Sequence, residues 1–379
     1  MADRVTRKNK GMVSELPLTI SAQDGLISQD EFFNKKVASK DLSSYLLLYH
    51  GDFAYNKSYS NGYPFGTIKR LEKYTQGVVS SLYIAFKPNS RISSDFMAQY
   101  YESNNWHKEI YKCAAEGARN HGLLNVAPSD FFATDLNIPI TKSEQLKIGR
   151  LLNAVDHTIT LHEGKKRQLE LLKSALLQKM FADENGYPSV RFREFSDVWQ
   201  LKKFKEVYAK SKEKNTRYGI QDIISVANMH YNKNASIRSV EYLKTYNVFK
   251  IGDIAFEGNK SSRFSHGRFV ENTIGDGIVS HVFDVFRPID KHDLQFMKHY
   301  INCENVMGPI MLRVTKASTM MTNLVAKDFL NESIRIPSIS EQQHIGRLLE
   351  CLNQLITMHQ NKLNNLKILK NSLLQNMFI

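Results

Sequence analysis

The sequence has few cysteines, no long apolar run and no recognisable leader. Its three cysteines, Cys113, Cys303 and Cys351, are odd in number and lack metal-type spacing, which favours reduced thiols over a disulfide framework or a zinc site. No apolar stretch approaches the roughly 18 residues that cross a bilayer, and the charged start MADRVTRKNKG contains no apolar signal segment. We therefore expect a cytoplasmic protein with no membrane partner.

Motifs of DNA-acting enzymes are also missing. The sequence contains no G-x-x-x-x-G-K-[ST] phosphate loop, so ATP hydrolysis by this chain is not expected. Asp253, Glu257 and Lys260 superficially resemble a nuclease cluster, but their spacing is wrong, and Asp253 is better interpreted as a β-turn residue. His162 and His359 lack the further ligands that a metal site needs. We predict no catalytic residue, no metal and no cofactor in this chain.

The sequence is rich in positive charge. Its 51 Lys and Arg residues outnumber 38 Asp and Glu residues, which leaves a formal charge of +13 spread along the chain. Such a field attracts polyanions, and nucleic acid is the first candidate. The 379 residues, 42% hydrophobic and 23% charged, suffice for two globular domains that each bury a core.

Two long segments of the chain repeat each other. Residues 143–181 align without a gap on residues 340–378, with 20 of 39 positions identical. Each of the two copies ends in the motif LLQ-x-MF. Apolar residues in both copies step by three and four, as in the seam of a coiled coil. Thr141 with Glu144, and Ser338 with Glu341, predict capping boxes where these helices begin. Each helix needs an apolar partner, and the other copy is the obvious one.

The predicted seam occupies equivalent positions in the two copies. Its residues are Ile148, Leu152, Val155, Ile159, Leu169, Leu176 and Met180, then Ile345, Leu349, Leu352, Ile356, Leu363, Leu366, Leu373 and Met377. Either Leu369 or Lys370 fits the next step of the second copy. Gly149 and Gly346 lower the helix propensity at matching places, which indicates a bend or a close approach of another backbone.

A fainter repeat lies between the helices. GDFAYNKS at 51–58 corresponds to GDIAFEGNKS at 252–261, and GVVSSLYIAFKP at 77–88 corresponds to GIVSHVFDVFRP at 277–288. Both halves show β-branched and aromatic alternation after a Gly-Asp turn, followed by a short helical patch. We predict an α/β (α+β) fold in which two similar domains, each with a curled or mixed sheet, are related by a pseudo-two-fold axis.

Segments rich in donors for phosphates and base edges recur at matching places in the two halves. Lys and Arg neutralise phosphates, whereas Asn, Ser, Thr and Arg can bond base edges. The predicted DNA-binding residues are Arg7, Lys8, Lys57, Tyr59, Asn61, Lys69, Arg70, Arg119, His121, Lys212, Lys214, Asn259, Lys260, Arg263, His266, Arg268, Lys316 and Thr319. A solvated loop is an equally good interpretation of any single segment, and their recurrence favours DNA contact. These segments differ between the halves although the helices do not, which suggests that the halves read different sequences.

Two other classes of protein stay open at this point. One is a self-contained DNA-modifying enzyme, against which the missing cofactor motifs argue. The other is a coiled-coil scaffold whose basic charge is incidental. Binding to duplex DNA would exclude the scaffold, and methylation by the chain alone would support the enzyme.

The whole arrangement resembles the S (specificity) subunit of type I restriction–modification systems. The twice-written SEQ..IGRLL......IT.H..K...L..LK..LLQ.MF, preceded by Ile-Pro at 138–139 and at 336–337, carries the resemblance. It implies two target-recognition domains separated by two long antiparallel coiled-coil helices. The implied boundaries are recognition domain 1 at 1–140, spacer helix 1 at 141–182, a linker at 183–197, recognition domain 2 at 198–337 and spacer helix 2 at 338–379.

The resemblance also implies partners for a non-catalytic chain. Each recognition domain would read one half of a split site in double-stranded DNA, and the helices would set the spacer and dock two methylation (M) subunits. S-adenosylmethionine would bind in the M subunits, and ATP and magnesium in two restriction (R) subunits. One departure is the segment 187–207, which leads into the second domain and has no counterpart before RVTRKNKG. Family members usually carry one, which suggests a truncated or differently started chain.

Overall fold

The computed structural model describes residues 1–35, 37–58, 62–114, 124–237, 239–317 and 321–378. The chain divides into two compact units. Unit 1 comprises residues 1–163 and 361–379, and unit 2 comprises residues 164–360. The boundary falls inside both long helices, so each unit combines globular elements with a part of each helix.

Unit 1 alternates short strands with short helices and leads into the first long helix, α5. Its elements are β1 Ala2–Arg4, β2 Leu18–Ser21, β3 Gly25–Ser28, α1 Gln29–Phe33, β4 Leu46–Tyr49, β5 Phe53–Asn56, β6 Thr67–Arg70, β7 Gln76–Val79, β8 Ile84–Pro88, α2 Ser94–Tyr100, α3 His107–Cys113, α4 Pro128–Phe132 and α5 Lys142–Lys179. The aromatic alternation after the Gly-Asp turn forms β5, and the short helical patch forms α2, as the sequence predicts.

The elements that follow α5 lead into the second long helix, α11. They are β9 Gln200–Lys203, α6 Phe204–Val207, β10 Tyr208–Lys210, a 3-10 turn Ile220–Asp222, β11 Ile224–Ser225, β12 His230–Tyr231, α7 Val240–Leu243, β13 Asn247–Phe249, β14 Ile254–Glu257, β15 Arg268–Glu271, β16 Gly277–Val279, β17 Val285–Pro288, α8 Leu294–Tyr300, α9 Glu304–Val314, β18 Thr315–Ala317, β19 Thr322–Leu324, α10 Ala326–Asn331, β20 Ser333–Ile336 and α11 Ile339–Met377. No helix in the described part of the chain is long and apolar enough to cross a membrane.

The main sheets of the two units have the same strand order. Unit 1 contains β1-β8-β5-β6 and unit 2 contains β10-β17-β14-β15. All ladders between these named strands are antiparallel. Parallel bridges lie outside them, between Pro17 and Val78 and between Ile223 and Ile278. Ala2 pairs with Pro88 as Tyr208 pairs with Pro288, and this register defines which residues of the two units correspond.

Equivalent aromatic side chains fill the two cores. Phe86 packs on Phe131 with ring centroids 5.3 Å apart, and Phe286 packs on Phe329 at 5.0 Å. The phenylalanine that closes each repeated LLQ-x-MF word completes a core, because Phe378 contacts Phe96 in unit 1. In unit 2 the corresponding phenylalanine contacts Phe296 and Tyr300. Burial of such rings is a major source of stability in both units.

The long helices begin where the sequence predicts. Thr141 Oγ1 accepts a hydrogen bond from the backbone N–H of Glu144, and Ser338 Oγ accepts one from that of Glu341. Both helices are continuous, and α5 runs through Gly164 without a break. These caps satisfy backbone donors that have no intrahelical partner.

The two seam glycines allow close packing. A Cβ atom on Gly149 would lie 2.8 Å from the Phe96 nitrogen, and one on Gly346 would lie 2.8 Å from the Phe296 nitrogen. Of the two explanations that the sequence allows, the close approach of another backbone is the one observed. The amino-terminal ends of α2 and α8 therefore rest directly on the long helices.

The helices pack antiparallel within each unit. In unit 1, Val155 and Ile159 form a cluster with Leu363, and Asp156 pairs with Lys370. In unit 2, Lys173 bonds Asn353. Every residue of the predicted seam is buried or half-buried. Lys370 is also half-buried whereas Leu369 is exposed, which settles the alternative left open by the sequence.

Candidate nucleic-acid interface

In unit 2, the loop between β14 and β15 is tied to the β18–β19 hairpin. Thr322 donates hydrogen bonds from its backbone N–H and its hydroxyl to the Gly258 carbonyl, at 2.8 and 2.9 Å. A Cβ atom on Gly258 would lie 2.2 Å from the Thr322 oxygen, so the approach requires glycine. Asn259 also forms a β-bridge with Met321. Two segments predicted separately from the sequence are thus joined.

Exposed cations lie on these joined segments. Lys260, Arg263 and Lys316 are exposed and have no ion-pair partner among the residues that the structure describes. The Arg263 guanidinium lies 5.1 Å from the Phe264 ring centroid. Asn259 is exposed beside them and His266 is half-buried. Unpaired cations next to a loop amide are suited to phosphate and base contacts.

Unit 1 joins the corresponding segments in the same way. The Leu124 N–H donates to the Lys57 carbonyl at 3.0 Å, and Lys57 Nζ donates to the Val126 carbonyl at 3.1 Å. Burial lowers the pKa of Lys57. Tyr59, Asn61, Arg119, His121 and, in unit 2, Thr319 lie outside the described residues.

The basic amino-terminal segment of each unit mainly bonds its own domain. Lys8 Nζ donates to the Ser44 carbonyl at 2.7 Å, and Lys214 Nζ donates to the Thr245 carbonyl at 3.0 Å. Arg7 bonds Asp52 and lies 4.4 Å from the Tyr49 ring centroid. These side chains hold the segment to the domain.

The neighbouring asparagines repeat this arrangement. Asn9 and Asn215 are buried, and each donates to carbonyls of its own unit, such as those of Leu42 and Leu243. Lys212, in contrast, is exposed, with no ion-pair partner in the described ranges. Lys212 is therefore accessible to a ligand.

Three further predicted DNA contacts are engaged in ion pairs. Lys69 pairs with Glu102, and Arg70 Nη1 lies 2.8 Å from Asp95 Oδ1. Arg268 Nε lies 2.7 Å from Glu257 Oε2, and its Nη2 donates to the Ala227 carbonyl. Each of these three side chains would have to break its ion pair in order to bind a ligand.

The Asp253 carboxylate of the second Gly-Asp turn is fully engaged inside its own unit. Asp253 accepts a hydrogen bond from the Lys250 N–H at 2.8 Å and bonds Arg287 through both oxygens. Burial raises the pKa of Asp253, and the guanidinium opposes that shift. Glu257 is engaged with Arg268, and no group of His, Cys, Asp and Glu in the described ranges could hold a metal ion. The β-turn interpretation of Asp253 agrees with this geometry.

Each unit also contains a polar cleft between its sheet, its α2 or α8 helix and the long helices. The clefts measure about 820 Å³ in unit 1 and about 1090 Å³ in unit 2. In unit 1, Asp156 lies 2.6 Å from Lys370 and accepts from Gln99 at 2.8 Å. The same positions in unit 2 hold Asn353, Lys173 and His299, and Lys173 donates to Asn353 at 2.6 Å.

The cleft of unit 2 keeps its histidine neutral. Burial, together with the nearby Lys173 and Lys298, lowers the pKa of His299 to about 4. The neutral ring faces Asn353, with 3.3 Å between Nε2 and Nδ2. The two clefts therefore share one polar arrangement built from different side chains.

Sequence reasoning missed a glutamine clamp that ties each globular domain to its helix. Gln145 Oε1 accepts from the Ser93 N–H at 2.9 Å while its Nε2 donates to the Pro139 carbonyl at 3.0 Å. Gln342 makes the same two bonds, with the Asp293 N–H and the Pro337 carbonyl. The repeated Ser-Glu-Gln of both helix starts was the available signal.

Comparisons with known proteins agree with this architecture. Residues 189–367 match the family model described as "Type I restriction modification DNA specificity domain". A type I restriction–modification S subunit from M. genitalium is 13% identical, with 100% of this chain and 96% of that chain covered and a TM-score of 0.56, so the fold is shared. The HsdS subunit from Thermoanaerobacter tengcongensis is 15% identical, with 100% and 93% covered and a TM-score of 0.47. No curated protein matches the chain.

Proposed function

We propose that this chain, a specificity (S) subunit of the type I restriction–modification family, reads one part of a split DNA site with each of its two units. The observation that carries the proposal is that the two units have matching main sheets but different loop sequences. The main sheets have the same strand order and register, whereas the joined loops 57–66 and 258–267 differ in sequence. One frame with two sets of side chains suits the reading of two different DNA words.

In unit 2, we assign DNA contact first to exposed side chains that form no ion pair within the described part of the chain. Lys212, Lys260, Arg263 and Lys316 would neutralise phosphates or bond guanine, and Asn259 would bond a base edge. His266 lies in the same loop. In unit 1, Tyr59, Asn61, Arg119 and His121 stay proposed contacts on the matching segments. The cations with internal partners, such as Lys8 and Arg70, would contact phosphates only in addition to their structural bonds.

The long helices would set the spacer between the two words. DNA advances roughly 34 Å per turn, so recognition elements held a fixed distance apart meet grooves at a fixed spacing. Deleting four residues from 165–175, about one helical turn, is expected to change the preferred spacer or abolish binding while the words survive. A variant that keeps both the word and the spacer would contradict this role.

The outer faces of the helices offer a surface for the methylation subunits. Leu171 and Leu172 in α5 are 63% and 49% exposed, and the corresponding Ile368 and Leu369 in α11 are 68% and 47% exposed. Apolar side chains repeated on outward faces are typical of protein contacts. We infer that two methylation subunits dock there, supply S-adenosylmethionine, and are joined by two restriction subunits that use ATP and magnesium. The chain itself would be non-catalytic and act in the cytoplasm, where host DNA lies.

The test is a map of N6-methyladenine in cells that express the chain with its methylation subunits. The proposal predicts a motif with two unlike specified words separated by a fixed unspecified spacer. Methylation by the purified chain alone would contradict the non-catalytic role. An uninterrupted motif would contradict the division of reading between the units.

A further inference from the structure

The polar clefts of the two units differ in how one lysine is neutralised. In unit 1, Lys370 Nζ lies 2.6 Å from Asp156 Oδ1, and Gln99 donates to the other carboxylate oxygen at 2.8 Å. The helix repeat places Lys173 and Asn353 at the corresponding positions of unit 2. Lys173 Nζ donates to Asn353 Oδ1, also at 2.6 Å. The geometry of the pair is therefore kept, while an amide replaces the carboxylate that neutralises the ammonium.

No other carboxylate of the unit 2 cleft takes the place of the missing one. The carboxylates that line this cleft are Glu170, Glu271, Glu304 and Glu350. Within the described ranges none of them forms an ion pair with Lys173. Glu170 lies 3.4 Å from Lys166 instead, and Glu350 lies 3.9 Å from Lys298. Lys173 is half-buried, and the removal of an ammonium from water costs free energy that a paired anion normally offsets.

Two further cations stand close to Lys173. Lys298 of α8 and Arg263 of the β14–β15 loop line the same cleft. Burial lowers the pKa of Lys173, and the nearby Lys298 and Arg263 lower it further. In unit 1 the corresponding positions hold Ala98 and Gly62. Three cations from three elements therefore converge on the cleft of unit 2, whereas unit 1 has one paired lysine at the same three positions.

The size and position of the unit 2 cleft fit a nucleic-acid backbone. Its volume of about 1090 Å³ lies at the upper end of the roughly 300–1000 Å³ of typical ligand clefts, so it admits a group much larger than a single ion. Arg263 belongs both to the cleft and to loop 258–267, which the proposed function places on DNA. The cleft thus continues the recognition surface from that loop to the long helices.

We propose that this cleft of unit 2 binds a phosphodiester group of the DNA strand next to the bases that unit 2 reads, with Lys173, Lys298 and Arg263 as its cationic ligands. The site rests on the proposed function, since its ligand is the DNA that unit 2 reads. A phosphate between the three cations supplies the negative charge that Asp156 supplies in unit 1. Because phosphate contacts carry no sequence information directly, the site adds affinity at one half of the DNA site and leaves the word unchanged.

The test variant is N353D, which gives Lys173 the carboxylate that Lys370 has in unit 1. A fluorescent duplex with the mapped site is titrated with the complex of the chain and its methylation subunits, at salt concentrations from about 50 to 200 mM. We expect N353D to weaken binding at least about tenfold at the lowest salt, the value of one charge-assisted hydrogen bond. The slope of log Kobs against the logarithm of the salt concentration should fall in magnitude by about 0.9, the loss of one phosphate contact. The methylated word should stay the same.

Two further variants separate this effect from misfolding and from added charge. K173M keeps the apolar stem of the lysine and should lower the slope by a similar amount. N153D makes the same Asn-to-Asp change in the cleft of unit 1, where the lysine is already paired, and should bind DNA like the wild type. Circular dichroism should show all three variants folded like the wild type.

Three outcomes would overturn the proposal. One is unchanged affinity and slope for both N353D and K173M while the wild-type complex binds its site, which would leave the proposed function intact. Another is an equal loss of affinity with N153D, because the effect would then be one of net charge. The third is saturable binding of inorganic phosphate in isothermal titration calorimetry that N353D abolishes without changing the affinity for DNA, which would make a free phosphate the ligand. A wild-type complex that binds the site no better than unrelated duplex would contradict the proposed function and this site with it.

Discussion

Each Gly-Asp turn has an aspartate that is bonded by an arginine. The two arginines come from different positions in the two units. In unit 1, Arg7 of the amino-terminal segment bonds Asp52. In unit 2, the residue that corresponds to Arg7 is Glu213, and Asp253 instead bonds Arg287 of β17 at 3.0 Å. Glu213 accepts from the same guanidinium at 2.6 Å. The turn thus requires a cation but not a particular position for it.

The strand that follows the loop shows the same exchange of charge. Arg70 at the end of β6 pairs with Asp95, whereas Glu271 at the corresponding end of β15 lies 3.1 Å from His292. Burial raises the pKa of Glu271 to about 7, and the nearby His292 opposes the shift. At both positions the charge of the side chain is opposite in the two units, while the strand pairing is the same. Such tolerance explains how two domains diverge in sequence while presenting different loops from one scaffold.

The largest effect is expected where the buried Asp253 carboxylate loses the guanidinium that bonds both of its oxygens. R287A leaves Asp253, 1% exposed, without this bidentate partner and should cost about 3–5 kcal/mol in the free energy of unfolding, measured with urea. The double variant E213R/R287K would place the arginine where unit 1 has it and should recover most of the loss. If the double variant were no more stable than R287A, the equivalence of the two turns would be wrong.

The glutamine clamps should show a smaller and matched effect. Q342A removes the acceptor of the Asp293 N–H and the donor to the Pro337 carbonyl, and Q145A removes the same pair in unit 1. Each should cost about 1–3 kcal/mol, because a buried backbone group is left unsatisfied. Urea unfolding of both variants beside the exposed control Q343A checks this. A cost at only one site would break the correspondence between the units.

The smallest expected effect is on the pH dependence of the free energy of unfolding, and it comes from Glu271 of unit 2. Because the folded-state pKa of Glu271 is about 7, above its usual 4.5, the folded chain binds its proton more tightly than the unfolded chain. Its contribution to stability is therefore full below about pH 4.5 and is lost as pH rises through about 7, a change on the order of 1–3 kcal/mol. E271Q should flatten that part of the slope in urea titrations between pH 5 and 8. If E271Q left the pH dependence of the free energy of unfolding unchanged, the raised pKa of Glu271 would be wrong.

The frame was predictable from the sequence because it is periodic and repeated. Heptad-like steps, capping residues and the Gly-Asp turns are local signals, and each of them occurs twice in the sequence. The internal bonds of Lys8 and Lys214 were not predictable, because their carbonyl partners lie more than 30 residues away. Composition cannot distinguish a lysine that binds phosphate from one that closes a domain. The joining of loop 258–267 to the β18–β19 hairpin likewise depends on tertiary structure.

The most direct test of separate reading by the two units is a genome-wide map of N6-methyladenine with the variant R263A/K316A. The chain is co-expressed with its methylation subunits, and the exposed K327A variant of unit 2 serves as the control. We predict that R263A/K316A relaxes or weakens the specified bases of one half of the site and leaves the other half and the spacer unchanged. Equal loss at both halves, or a motif identical to that of the wild type, would contradict the account.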